Sequence, residues 1–152
     1  MTELRLFTAP FDGALIVELE ALVARVFGAF DGVDELRWKL ERMPELALHA
    51  ACDGDALVAF KLGYAATPVR YYSWLGGVDP RYRRQGIARR LMDAQHAWAL
   101  AHGYRAIETG ALVDNAAMLM LNLQVGFRVI GMYQRTGTAR AMLLKDLVLG
   151  AG

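Results

Sequence analysis

Residues 78–90 read VDPRYRRQGIARR, and five arginines, Arg81, Arg83, Arg84, Arg89 and Arg90, fall within ten positions of that stretch. A β-prone run, YYSWLGGV, precedes it and a helix-prone run, LMDAQHAWAL, follows. A strand, a glycine-bearing turn and a helix start together make an anion site. The first N–H groups of a helix lack partners, and the helix dipole adds roughly half a positive charge there. Gly86 lets the backbone come close to a ligand and Ala88 adds little bulk. Arg83 and Arg84 add forked, permanently charged donors. The chemistry is that of a phosphate or pyrophosphate. No Gly-Lys-Ser/Thr follows, so the turn is not a Walker loop. The spacing G-x-G-x-x-G is absent, so it is not a dinucleotide fingerprint. Taken alone, the turn leaves open a solvated, arginine-rich helix start and a nucleic-acid adaptor surface.

The elements that must position this turn follow from periodicity. Glu3 to Phe7 alternate as a strand, and Asp12 caps a helix running to about Phe27, with Leu15, Leu19, Leu22, Val23 and Val26 at helical spacing. A second helix is expected from Asp34 to Met43, stopping before Pro44. Two β-prone runs flank Asp53-Gly54 as a hairpin. Ala65 to Arg70 reads as a loop and Tyr71 to Val78 as the next strand, with Gly76-Gly77 marking a bulge or a close backbone approach. In the helix after Gly86, Ile87, Leu91, Ala94 and Trp98 share one face, and Arg89, Asp93 and His96 the opposite one. Gly103 stops it. A strand from Ala106 to Val113, a short helix from Asn115 to Gly126, and strands Phe127–Tyr133 and Ala139–Lys145 complete an α+β, mixed-sheet order.

The bulk properties bound the function. The 152 residues favour a single domain, residues 1–152, large enough to bury a core. With 55% hydrophobic and 22% charged residues the chain is globular. A net charge of +1 argues against nucleic-acid or membrane-surface partners, which call for a broad basic field. The lone cysteine, Cys52, gives no disulfide framework and points to a reducing compartment. The N-terminus lacks the pattern of a signal peptide, and the apolar run from Ala14 is broken by Glu18, Glu20 and Arg25, so a cytoplasmic location is expected. No Cys/His spacing suggests a metal.

The segment Val78-Asp79-Pro80…Arg83-Arg84-Gln85-Gly86-Ile87-Ala88 resembles motif A of the GNAT superfamily of N-acetyltransferases. Downstream, Asn115…Met118…Asn122…Gly126-Phe127 is similar to the second GNAT motif in the right register. The resemblance implies a mixed, mostly antiparallel sheet of six to seven strands flanked by about four helices, with a splayed parallel pair forming a cleft for acetyl-CoA. It implies that Leu75, Gly76, Gly77 and Val78 hold the pantetheine arm, that the turn from Arg83 through Arg84, Gln85, Gly86 and Ile87 to Ala88 holds the pyrophosphate, and that Asn115 contacts pantetheine or diphosphate.

The resemblance also implies direct attack of a primary amine, from a small molecule or peptide, on the thioester, with a homodimer as the assembly. The ammonium must lose a proton, and a strand-end N–H near Gly77 or Val78 is placed to receive the developing oxyanion. The family's acid is often a tyrosine; the aligned residue is Asn122, which donates a hydrogen bond but not a proton. A thiol of pKa roughly 8.5 leaves readily, so a hydrogen bond or water suffices. Glu108 is a candidate base and Tyr133 a candidate base or acid; Tyr72, Ser73 and Trp74 offer an aromatic wall. His49, His96 and His102 read as structural and Cys52 as a buried small hydrophobe. Asp31, Asp34 and Glu35 make the loop that selects acceptors in the family negative, either to attract a cationic amine or simply to cap a helix. The alternative to an enzyme is a non-catalytic CoA-binding module.

Overall fold

The computed structural model describes residues 2–28, 32–135 and 137–147, and of Arg135 the backbone only. Asp31 lies outside the described residues. The elements are β1 (Glu3–Thr8), α1 (Gly13–Phe27), α2 (Val33–Arg42), β2 (Ala47–Asp53), β3 (Ala56–Thr67), β4 (Arg70–Val78), a 3₁₀ turn (Pro80–Tyr82), α3 (Ile87–Ala101), β5 (Ala106–Leu112), α4 (Ala116–Gln124), β6 (Arg128–Arg135) and β7 (Thr138–Asp146). The expected order holds throughout, with the 3₁₀ turn added. Asp12 caps α1 by accepting from Leu15 N at 2.8 Å, and Gly103, at φ 87°, follows the end of α3.

One seven-stranded sheet runs β1-β2-β3-β4-β5-β7-β6. Every pairing is antiparallel except β4 with β5. This is the mixed α+β architecture with a parallel pair that the resemblance implied. The two faces bury separate cores. Leu19, Leu22, Leu36 and Leu40 of α1 and α2 pack on Leu48, Phe60 and Leu62. On the other face, Ile87 and Leu91 of α3 pack on Ala51, Val58 and Ala59, and Met92 and Ala99 pack with Tyr71, Ile107 and Leu143.

Two expectations need correction. Residues 65–70 are not a loop: β3 continues to Thr67 and β4 begins at Arg70, leaving Pro68 and Val69 as the turn. The strand runs on because Ala65 pairs with Tyr71 and Thr67 with Arg70, and a proline in the turn itself costs no ladder bond. The buried stripe of α3 is Ile87, Leu91, Met92, Gln95, His96 and Ala99, with Trp98 only half-buried. His96 therefore faces the sheet and not the solvent. Its ring meets Phe127 edge-on and its Nδ1 lies 3.1 Å from Lys145 Nζ. Hydrophobic patterning assigns such a residue to the outside because it cannot see a polar neighbour waiting inside.

Candidate active site

The arginine-rich turn is built on a buried carboxylate. Asp79 is 1% exposed and accepts from Arg81 N at 2.9 Å, from the Arg81 guanidinium at 3.2 and 3.3 Å, and from Arg25 Nε at 2.9 Å. Hydrogen bonds from Arg81 and then Arg25 hold its carboxyl well below the usual carboxylate range. Arg25 also donates to Leu57 O at 3.1 Å, tying α1 to β3 beneath the turn. The chain then lifts into the left-handed region at Arg84 (φ 64°) and Gly86 (φ 74°). Gly86 caps α3 without a side chain. The first helical bond is Arg90 N to Gly86 O at 3.1 Å, which leaves the N–H groups of Ile87, Ala88 and Arg89 pointing outward without a helical partner. Nothing lies within 4 Å of where a Gly86 Cβ would sit, so the concavity is open. Arg83 is pinned back onto Val78 O at 3.2 Å.

The strand leading into this turn parts from its neighbour. β4 and β5 pair only from Arg70↔Ala106 to Ser73↔Thr109, although β4 runs on to Val78 and β5 to Leu112. Thr109 Oγ1 closes the fork by donating to Ser73 O at 3.0 Å. Beyond it, β4 keeps β3 on one side, through Leu75↔Leu62, Gly76↔Lys61, Gly77↔Phe60 and Val78↔Ala59. An antiparallel ladder points alternate peptide groups away from the partner strand. Past the fork, those groups face a gap. The glycine pair has a packing reason: a Cβ on Gly77 would meet Val26 Cγ1 of α1 at 2.4 Å, so only glycine lets α1 close over the strand end.

On the α1/α2 side of the fork lies a pocket of about 280 Å³, lined among others by Tyr64, Tyr72, Glu108, Gly110 and Tyr133. The hydroxyls of Tyr133 and Tyr72 converge on Gly110. Burial, with the neighbouring Tyr133 and Tyr64 adding to it, pushes the Tyr72 phenol up to about 12, so it is a hydrogen-bond donor at neutral pH. Glu108 is ion-paired with Arg70. Trp74 and Tyr64 hold Lys39 of α2 over their faces at 4.8 and 5.5 Å, and Lys39 pairs with Glu35 at 3.2 Å. Thus Glu108, Tyr133 and Tyr72 are brought together. Tyr64, Thr109 and Gly110 were missed by sequence reasoning; a glycine inside a strand was the one signal that marked the last. A larger hollow of about 570 Å³, lined by Pro10, Phe11, Leu46 and Trp98 among others, lies away from the fork, near the C-terminal end of α3.

The remaining candidates have local duties. Asn122 is buried, and its Nδ2 donates to Met118 O at 2.9 Å. Asn115 caps α4 by accepting from Met118 N at 3.2 Å. His49 and His96 are buried, and burial first, then the nearby lysines, lowers them to about 4 and about 3. His102 is exposed, stacked on Trp98 and 2.8 Å from Trp98 O through Nδ1. Cys52 is buried, as a small hydrophobe should be.

A family model described as the Acetyltransferase (GNAT) family matches residues 15–137. The chain belongs to the GNAT acetyltransferase family. Solved structures share the fold at low identity. The Escherichia coli ribosomal-protein-S18-alanine N-acetyltransferase superposes with a TM-score of 0.83 at 14% identity, over 99% of this chain and 96% of that one. An aminoglycoside 6'-N-acetyltransferase complexed with coenzyme A gives 0.77 at 15%, over 99% of both chains. A GNAT family acetyltransferase from Elizabethkingia anophelis with acetyl-CoA bound gives 0.70 at 14%, over 95% and 97%. No curated protein sequence matches the chain.

Membership of that family makes the chain an acyltransferase, and the co-substrate bound in the similar structures is acetyl-CoA or coenzyme A. The features present fit that co-substrate: an open, glycine-capped helix start with free N–H groups suits a diphosphate, and the gap beyond Ser73 and Thr109 suits an extended amide-bearing arm. Among the described residues, no three His, Cys, Asp or Glu groups gather to hold a metal, and no helix is long and apolar enough to cross a membrane.

Proposed function

We propose that this GNAT enzyme transfers the acetyl group of acetyl-CoA to a primary amine of a small molecule or peptide, by direct attack in a ternary complex. The observation that carries the proposal is the convergence of the Tyr72 and Tyr133 hydroxyls over Gly110, one residue past the point where β4 and β5 part. An amine acceptor is supported by the two similar structures whose names specify N-acetyl transfer, to a ribosomal-protein alanine and to an aminoglycoside.

Acetyl-CoA supplies the activated acyl group, and the other tasks fall to the chain. The turn from Arg83 through Arg84, Gln85, Gly86 and Ile87 to Ala88 holds the diphosphate, chiefly through backbone N–H groups. Leu75, Gly76, Gly77 and Val78 present their gap-facing peptide groups to the arm, and an N–H near Gly77 or Val78 receives negative charge developing on the carbonyl oxygen. Asn115, at the start of α4, retains its amide hydrogens for the same ligand while its oxygen caps the helix. Glu108, oriented by Arg70, accepts the ammonium proton directly or through water. Tyr72 stays protonated and orients the amine, and Tyr133 is the candidate acid. Asn122 keeps one amide hydrogen beyond its bond to Met118 and serves as a hydrogen-bond donor to the departing sulfur.

The test is calorimetric titration with acetyl-CoA followed by thiol release across a panel of amines. Micromolar binding with turnover on at least one amine is expected. Binding with no turnover on any amine overturns the proposed reaction, and no binding overturns the site.

A further inference from the structure

Arg140 has no place in the scheme above. It lies on β7 directly opposite Tyr133 of β6 and Leu112 of β5. Residues facing each other across a ladder share a face of the sheet. Tyr133 directs its hydroxyl to where a Gly110 Cβ would sit, and Gly110 pairs with Met142, two residues from Arg140. Arg140 therefore stands on the acceptor side of the sheet, beside the pocket. The opposite face of β7 carries Ala141 and Leu143, packed in the core beneath α3.

Arg140 is half-buried, and its Nε is buried with no hydrogen-bond partner. Among the described residues no carboxylate lies within ion-pair distance of it. Taking part of a guanidinium out of water without a partner is costly. The acids around the pocket are already engaged: Glu108 pairs with Arg70 and Glu35 with Lys39. Of the acids expected to draw in a cationic amine, Glu35 is thus compensated within the protein, while Asp34 is exposed at the start of α2. Beside the pocket, Arg140 adds a positive charge with no carboxylate partner among the described residues. It acts on the pocket too, since Arg140 is the charge that opposes the rise of the Tyr72 phenol. The CoA diphosphate is not its natural partner, because the turn proposed to hold it begins α3, on the other face.

We propose that the acceptor carries a carboxylate as well as its amine, and that the Arg140 guanidinium binds that carboxylate. This rests on the acetyltransferase reading and narrows it to amino acids, or peptides with an accessible acid. A guanidinium edge presents two parallel N–H donors to a carboxylate and discriminates strongly against an amide.

The deciding measurement is binding, not turnover, so that it stands apart from the acetyl-transfer test. The CoA-loaded protein is titrated with a panel of amino acids and dipeptides, each as the free acid and as the C-terminal amide. Acids should bind roughly 10- to 100-fold more tightly than their amides. Arg140→Gln should abolish that preference, and Arg140→Lys should restore part of it. Arg140→Met, which keeps the apolar stem, should also abolish the preference while preserving the melting temperature. Equal affinity for acids and amides, a preference that survives Arg140→Gln, or no binding by any acid overturns the proposal. Turnover of amines lacking a carboxylate, with no preference for acids in the binding series, overturns it while leaving acetyl transfer intact.

Discussion

Tyr133 and Tyr72 direct their hydroxyls at one point over Gly110: a side-chain carbon there would lie 3.1 Å from the first and 3.7 Å from the second. That contact is too tight for Tyr133 to stay where it is, yet the obstacle is the far end of a side chain that can swing. Gly110→Ala should therefore fold normally, since alanine suits a strand better than glycine, but displace the phenol. The phenol must give by a few tenths of an ångström, a fraction of the about 1 Å misplacement that costs on the order of 100-fold in rate, so a loss of roughly several-fold is expected. Steady-state kinetics should show the loss in kcat/KM, with acetyl-CoA affinity and melting temperature near those of the parent. A parent-like kcat/KM would remove Tyr133 from the chemistry.

Gly86 separates charge from strain. Its φ of 74° is one that asparagine tolerates and most residues do not, while the space at its Cβ is open. Gly86→Asn should keep most of the affinity for CoA. Gly86→Glu, which adds negative charge to the helix start, should weaken it about tenfold or more. Calorimetry on both variants checks this, and equal affinities would mean that no phosphate sits there.

Asp79 should govern acid stability. Its folded pKa lies below its unfolded value, so its stabilisation is present in full above an unfolded pKa of roughly 4 and is lost as pH falls through the lower folded value. Asp79→Asn should lower the melting temperature by roughly 5 °C or more near pH 7. The gap from the parent should stay level down to about pH 5 and narrow below pH 4. A constant gap to the lowest accessible pH would mean that the carboxylate's charge is not what matters.

His49 and His96 act higher on the pH scale. Both are held neutral, at about 4 and about 3 in the folded protein. The unfolded chain takes up their protons near pH 6.5, so folded stability declines from about pH 6.5 downward until the folded values are reached. Between pH 6 and 4.5 denaturant titrations should give a slope of about two protons, falling to about one in His96→Met. An unchanged slope would mean that His96 titrates normally.

Much of the fold was legible because its cues are local. Asp12, Gly86, Gly103 and Asn115 bound helices by backbone rules that act within a turn of the chain, and the arginine turn lies in one continuous stretch. What escaped depends on register between distant strands. Gly76-Gly77 announced a close approach but not that Val26 of α1 makes it. Arg140 looks like any strand arginine until β7 is set against β5 and β6, so that Arg140 faces Tyr133. Ile87 and Leu91 are buried as expected, but the buried stripe of α3 turns towards Met92, Gln95 and His96, because apolar spacing carries no information about polar side chains taken inside. The pocket at the fork draws on β3, β4, β5, β6 and β7 together, and no single segment encodes it.

The hydrogen bond from Thr109 to Ser73 marks the line along which the sheet divides. On one side β1 to β4 form a four-stranded leaf; on the other β5, β7 and β6 form a three-stranded one, and the leaves share only four facing pairs of residues. Beneath this seam His96 of α3 meets Lys145 of β7. Whatever fills the gap and bonds to both margins supplies the rungs the sheet lacks. Occupancy and stiffness then become one variable: the gap-facing amide protons among Gly110 to Leu112 should exchange in step with those among Trp74 to Val78, fast when the gap is empty and slowly when it is bridged.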